Sequence, residues 1–128
     1  MNSAARSTII AAGLLGLTGV VLGASGAHGQ LHDALVAAGT LDTWRTAVLY
    51  HLMHAVALLA LAGWNAGWPA ARWTARGWIA GVVLFSGSLY WLALGGPKFL
   101  GPFTPLGGLA LLTGWLFLAW TAFRLPKT

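Results

Sequence analysis

The sequence predicts an all-α integral membrane protein: a four-helix bundle with both termini cytoplasmic and a short amphipathic surface helix between spans one and two. Three observations predict it. Only seven basic and two acidic residues occur among 128. Hydrophobic residues make up 58% of the chain, a composition suited to lipid rather than water. Four runs of near-membrane length, free of Asp, Glu, Lys and Arg except for Arg76 at the start of the third, are joined by short connections. At about 20 apolar residues per crossing, these accommodate four spans and three loops as one membrane domain over residues 1–128. Strand-length alternation is not seen, so the backbone polar groups are expected to be satisfied within helices.

Span one runs from Ser7 to Gly26. At about 100° per residue, Ala12, Gly16, Gly19, Gly23 and Gly26 share one arc, and Gly19 with Gly23 forms a small-xxx-small pair that lets another backbone approach. This places span one inside the bundle. Arg6, the apolar run and the small residues Leu22-Gly-Ala-Ser-Gly-Ala27 imitate a secretory signal peptide. The run approaches full span length, however, and a discarded peptide needs no packing stripe, so the segment reads as a retained span.

Between Ala27 and Arg45, Leu31, Leu35 and Ala38 recur at helical spacing and Gly39 follows as a C-terminal stop. This is the surface helix, with His32 solvated on it and Thr40 or Asp42 capping the next span. Span two covers Thr46 to Gly63. The connection from Trp64 to Arg76 contains Pro69, and span three covers Thr74 to Leu94. Pro97, Gly101 and Pro102 make Gly95 to Thr104 a turn-rich connection. Span four covers Pro105 to Phe123, where Gly107, Leu111, Gly114 and Leu118 form a packing stripe. No internal repeat supports an inverted-repeat transporter.

Arg6, Arg72, Arg76, Arg124 and Lys127 fall on one side of this layout. Arg45 and Lys98 fall on the other with both acids, Asp33 and Asp42. Five basic residues against two place both termini and the second loop in the cytoplasm by the positive-inside rule. Trp44, Trp64, Trp68, Trp73, Trp78 and Trp120 lie near span ends and read as interfacial anchors; Trp91 and Trp115 fit either lipid-facing or packed positions.

The same layout gathers the conspicuous polar residues into the outer half. Ala47, Tyr50, His51 and His54 share one face of span two, with His51 about 9 Å and His54 about 13 Å along the helix from Arg45. Ser86, Ser88 and Tyr90 approach that depth from span three, Thr104 from span four, and His28 closes span one. Intramembrane ionisable groups are expensive and mark candidate ligand or proton sites. The same side chains also serve as interhelical hydrogen-bond glue, each contact contributing about 0.6–2 kcal/mol.

Several chemistries are excluded or weakly supported. Cysteine is absent, which removes disulfides, thiolate metal sites and cysteine nucleophiles. The basic residues are scattered singly, giving no nucleic-acid footprint. If a metal binds, His51 and His54 at i and i+3 with His28 are the available ligands, but no acid on the spans completes a dimetal site. Haem requires histidines facing across the ring from different helices, which only His28 and span two offer. Catalytic residues are not predicted, since no Gly-x-Ser-x-Gly elbow or His-Glu-x-x-His pair occurs and no acid lies on a span to orient a base. Gly95-Gly96 and Gly107-Gly108 lack the lysine and strand context of a phosphate loop.

The segments Gly23-Ala-Ser-Gly-Ala-His28, Thr46-Ala-Val-Leu-Tyr-His-Leu-Met-His-Ala55, Leu84-Phe-Ser-Gly-Ser-Leu-Tyr90 and Thr104-Pro-Leu-Gly-Gly108 with Gly114-Trp115 resemble the domain-of-unknown-function family 423 (DUF423), the YgdD-like small inner-membrane proteins. Four motifs occur in the family's order over nearly the whole chain. Ser25 departs from the family's usual aromatic residue and Trp44 from its common phenylalanine. The resemblance implies a four-helix, multi-pass protein of the bacterial inner membrane without an assigned activity. It carries onto His28, Tyr50, His51, His54, Ser86, Ser88, Tyr90 and Thr104 without giving them roles.

The leading expectation is a non-enzymatic accessory or structural subunit of a membrane complex or small oligomer. Its partners are the lipid bilayer and other membrane subunits or itself, and no cofactor is predicted. The alternative is a binding or transfer protein for a lipid, quinone, haem or metal using the outer-half cluster. A third reading, a transporter or channel, requires several copies to line a pore because the inner halves are nearly all apolar.

Overall fold

The computed structural model describes residues 3–64 and 69–124. Five α-helices and one 3-10 turn follow in order: α1 Ser3–Ala27, α2 Gly29–Ala38, α3 Leu41–Trp64, α4 Pro69–Ala93, the turn Lys98–Leu100, and α5 Phe103–Arg124. Ser3–Ala27, Leu41–Trp64 and Lys98–Arg124 are long and apolar enough to cross a membrane. The fourth expected span corresponds to α4, which is equally long but carries Arg72, Arg76 and a series of Trp, Ser and Tyr residues that lower its mean hydropathy. Pro69 stands at the start of α4, where its missing N–H costs nothing. Arg72 and Arg76 are therefore helical rather than part of a loop.

Successive long helices run antiparallel. Along α1 and α3, Gly19 meets Leu52, Gly23 meets Val48 and Gly26 meets Trp44. Along α3 and α4, Thr40 pairs with Ala93 and Ala47 with Ser86. Along α4 and α5, Gly77 meets Gly114, Gly81 meets Leu111, and Phe85 meets Gly107. The most extensive contacts join α4 with α5, α1 with α3, and α3 with α4. Accordingly α3 and α4 form the centre, and α1 and α5 flank them. Span one does not sit inside the bundle: Ile10, Leu14, Leu17, Val20 and Val21 of α1 are exposed. Its glycine stripe works only in the second half. A Cβ on Gly19 or Gly26 would run into Leu52 or Trp44, whereas Gly16 has nothing within 4 Å.

The closest packing is between α4 and α5. A Cβ on Gly107 would strike the backbone of Phe85, and one on Gly77 would lie 3.2 Å from the Cα of Gly114. Small residues on both sides allow this approach, the usual solution where lipid supplies no hydrophobic drive between helices. Gly77-x-x-x-Gly81 is a half of this interface that the reading of spans missed, although its spacing was visible in the sequence.

Trp44 and Trp78 are not interfacial anchors. They are 3% and 1% exposed and centre two core clusters, Trp44 with Leu35 and Ala93, and Trp78 with Leu58, Val82 and Leu111. Trp64, Trp73 and Trp120 are exposed as anchors require; Trp68 lies outside the described residues, as does Lys127. The surface helix is present as α2, but Leu35 is buried against its neighbours, and Gly39 ends it in the left-handed conformation at φ 70°. Thr40 precedes α3, yet its hydroxyl donates across to Ala93 O at 2.8 Å instead of capping. Asp42 pairs with Arg45 at 3.5 Å on the surface.

Candidate functional site

The polar residues of α3 and α4 do not converge on one pocket. They form separate clasps, each tying particular helices together. His51, 5% exposed, lies between Thr18 of α1 and Tyr90 of α4, with Nε2 3.3 Å from Thr18 Oγ1 and Nδ1 3.1 Å from the Tyr90 hydroxyl. Thr18 donates its own hydrogen to Leu14 O at 2.8 Å, as hydroxyls on helices commonly do. That leaves its oxygen as acceptor, so His51 carries its proton on Nε2 and accepts from Tyr90 at Nδ1. A continuous chain of donors then runs from Tyr90 through His51 and Thr18 to the α1 backbone. Gly19 makes room for it, since a Cβ there would lie 3.4 Å from the His51 ring and closer to Leu52.

His54, one helical turn further along α3, faces α5. Trp115 Nε1 donates to His54 Nε2 at 3.1 Å. An indole N–H only donates, so Nε2 must be the acceptor and the ring proton sits on Nδ1, donating to Tyr50 O at 2.8 Å. Trp78 and Trp115 close around the ring, each with its centroid 6.0 Å away at edge-on angles. Tyr50 packs on Phe85 at 4.6 Å rather than joining the hydrogen-bond chain through its hydroxyl.

The serines act elsewhere. Ser86, fully buried, donates to Ala47 O at 2.8 Å and joins α4 to α3. Ser88 turns the other way, meeting Thr104 Oγ1 at 2.7 Å and joining the end of α4 to the start of α5. Trp44 adds a further link, its Nε1 donating to Leu22 O at 2.9 Å across α1 and α3 in the space left by Gly26.

His28 stands apart from these clasps. It precedes α2 in extended backbone, its side chain is exposed, and it makes no capping bond. The expected set His28, His51 and His54 is therefore not assembled: among the described residues no three His, Asp or Glu side chains are grouped to hold a metal. The donor chemistry agrees, because both ring nitrogens of His51 and of His54 face protein partners and no lone pair points at open space. As bonded here, His51 and His54 offer no free nitrogen to a metal or a haem iron. His32 is not simply solvated, since its Nδ1 lies 2.9 Å from Gly26 O.

Thr18 and Trp115 complete the histidine clasps without having been singled out for them. Thr18 is the one polar side chain between Thr8 and Ser25, which is the signal that was available. Two buried polar atoms among the described residues remain unpaired, Thr74 Oγ1 and Trp78 Nε1, both on the α4 face turned toward α5.

A family model described as "Protein of unknown function (DUF423)" matches residues 22–108. The UPF0382 membrane protein YwdK of Bacillus subtilis is 39% identical over 121 residues, covering 91% of this chain and 95% of the relative. A UPF0382 membrane protein of Schizosaccharomyces pombe is 42% identical over 110 residues, with 81% and 91% covered. One from Haemophilus influenzae is 38% identical over 112 residues, with 87% and 89% covered. No solved structure matches the chain. With apolar helices of membrane-spanning length and relatives of this kind along nearly its whole length, the chain is a membrane protein belonging to the DUF423 family, for which no specific function is assigned.

Proposed function

We propose that this protein is a non-enzymatic accessory or structural subunit: a four-span bundle that assembles with other membrane subunits or with copies of itself. The observation that carries this reading is that the polar side chains grouped on α3 and α4 are bonded within the chain, Thr74 Oγ1 and Trp78 Nε1 being the unpaired exceptions among the described residues. His51, His54, Ser86, Ser88, Tyr90 and Thr104 each make a hydrogen bond within the chain, and both ring nitrogens of each histidine are engaged. A catalytic or ligand-binding group needs a free lone pair or proton directed at a substrate position. What the molecule turns outward is apolar helix surface, such as Leu109, Leu112, Leu116 and Trp120 of α5.

Four crossings, with both ends on one membrane face, are supported by the antiparallel order of the long helices and by the inward turn of Ser86, Thr74 and Trp78 on α4. Arg6, Arg72, Arg76 and Arg124 share the end formed by the starts of α1 and α4 and the end of α5, while both acids lie at the opposite end. That asymmetry supports cytoplasmic termini, in a bacterial cell at the inner membrane. Because the chain has no cysteine, single cysteines at Asp33 and Arg124 test the orientation with a membrane-impermeant maleimide. Labelling of the first and protection of the second in intact cells is expected. Purification in mild detergent tests the assembly: a fixed oligomer or a co-purifying membrane subunit is expected. A lone monomer that captures no partner and retains a small molecule tightly would refute the subunit role.

A further inference from the structure

At the arginine-rich end, the first turns of α1 and α4 enclose a cleft of about 400 Å³, bounded by Ser3, Ser7 and Thr8 on one side and Arg72, Arg76 and Ile79 on the other. Its electrostatics are one-sided. Arg72 and Arg76 lie one helical turn apart on the same helix and repel each other, and neither meets a carboxylate among the described residues, where the acidic side chains, Asp33 and Asp42, are at the far end of the bundle. The one ion pair among the described residues is Arg45 with Asp42. No acidic residue occupies the first turn of either helix, so the positive ends of both helix dipoles add to the same field. Arg76 is held by stacking, its guanidinium carbon 5.0 Å from the Trp73 ring centroid.

Donors are at hand as well as charge. Ser7 and Thr8 both donate to Ala4 O at 2.9 Å, so either hydroxyl can rotate toward a ligand while the other keeps that carbonyl satisfied. Guanidinium groups match the oxygens of phosphate in a paired geometry that carboxylate-free arginines leave unused. Deeper in the cleft Ala75 and Ile79 are apolar, which suits the glycerol and first acyl carbons of a lipid and gives nothing to a free inorganic anion. Basic pockets between helices at the membrane surface are the setting in which anionic headgroups are held.

The geometry points to a binding site for the phosphodiester of an anionic phospholipid in this cleft, an inference that rests on the chain lying in a membrane and is separate from the subunit role. The test is native mass spectrometry of the full chain released from detergent with phosphatidylglycerol or phosphatidylcholine added at equal concentration. The parent chain should favour phosphatidylglycerol by about tenfold. Arg72→Gln with Arg76→Gln should abolish the preference, and Ser7→Leu, which fills the cleft without changing charge, should do the same. Arg45→Gln, which removes one positive charge at the opposite end, should leave it intact. Equal loss in Arg45→Gln, or persistence in either cleft variant, would overturn the site. Displacement of the lipid by millimolar inorganic phosphate would identify a free-phosphate site and overturn the lipid assignment.

Discussion

Replacing Gly107 by alanine is the sharpest probe of how the helices are held together. In α5 the new Cβ would lie 2.7 Å from the Cα of Phe85 and 2.8 Å from the carbonyl carbon of Leu84. Carbon atoms pack at about 3.5–4.0 Å, so α4 and α5 would have to part by about 1 Å, a gap that forfeits a quarter to a half of each dispersion contact. The obstacle is backbone, and no rotamer change relieves it. Overpacking of this kind costs about 1–3 kcal/mol. Against it stands a gain of about 1 kcal/mol from replacing glycine with alanine in a helix. Gly16→Ala makes the same exchange in α1 with nothing within 4 Å of the new methyl. The propensity gain cancels between the two variants, and their difference isolates the packing cost. At about 3–6 °C per kcal/mol for a chain of this size, Gly107→Ala should melt several degrees below Gly16→Ala. Tryptophan fluorescence in one detergent can follow both, with eight tryptophans as reporters. Equal melting temperatures, or Gly16→Ala as the less stable of the two, would refute the tight α4–α5 contact.

Three further outcomes are expected. His51→Phe should strand the Tyr90 hydroxyl and destabilise the protein by about 1–3 kcal/mol; adding Tyr90→Phe should recover part of that loss in a thermal melt, and strictly additive losses would contradict the clasp. A double-mutant cycle with His54→Ala and Trp115→Phe should give a coupling energy of about 0.6–2 kcal/mol from denaturant or thermal unfolding; zero coupling would remove the indole–imidazole bond. Thr74→Val should be neutral or stabilising, because the Thr74 hydroxyl is buried without a partner and its removal strands nothing. A loss above about 1 kcal/mol there would mean that the hydroxyl has a partner after all.

Which of these features could be read from the chain alone follows from what each depends on. Three of the long helices, α1, α3 and α5, were legible because membrane length and near-absence of charge are properties of single segments, whereas the start of α4 was hidden by Arg72 and Arg76, and Gly39 marks the end of α2 by conformation alone. The shared face of Ala47, His51 and His54 was legible too, being a matter of helical periodicity. Partner identity was not. Depth along a span places Ser86, Ser88 and Tyr90 at one level, but only the rotation of α4 decides that Ser86 and Tyr90 turn to α3 while Ser88 turns to α5. His28 was grouped with α3 by depth and is separated from it by direction. Trp44 and Trp78 look like anchors because tryptophan near a span end usually is one, and composition does not register that Gly26 and Gly114 open the space that receives their rings. Gly16 failed in the opposite sense: it shares the arc of Gly19 and Gly26, yet a Cβ there would meet nothing within 4 Å.

The distribution of the clasps explains why histidine, rather than another serine or threonine, occupies α3. A hydroxyl on a helix tends to donate to the carbonyl a turn behind it, as Thr18 and Thr46 do, and is left with an acceptor for one neighbour. A neutral imidazole keeps one donor and one acceptor pointing in divergent directions. From the central helix it can therefore hold two elements at once, and His51 does so between α1 and α4. His54 reaches one neighbour: its Nδ1–H returns to the Tyr50 carbonyl of its own helix, and its Nε2 accepts from Trp115 of α5. In lipid, where apolar surfaces slide past one another with little energetic preference, such links specify register that glycine contacts alone leave loose. A histidine kept for a ligand would need one ring nitrogen turned toward open space, and in both residues of α3 each nitrogen is turned toward protein.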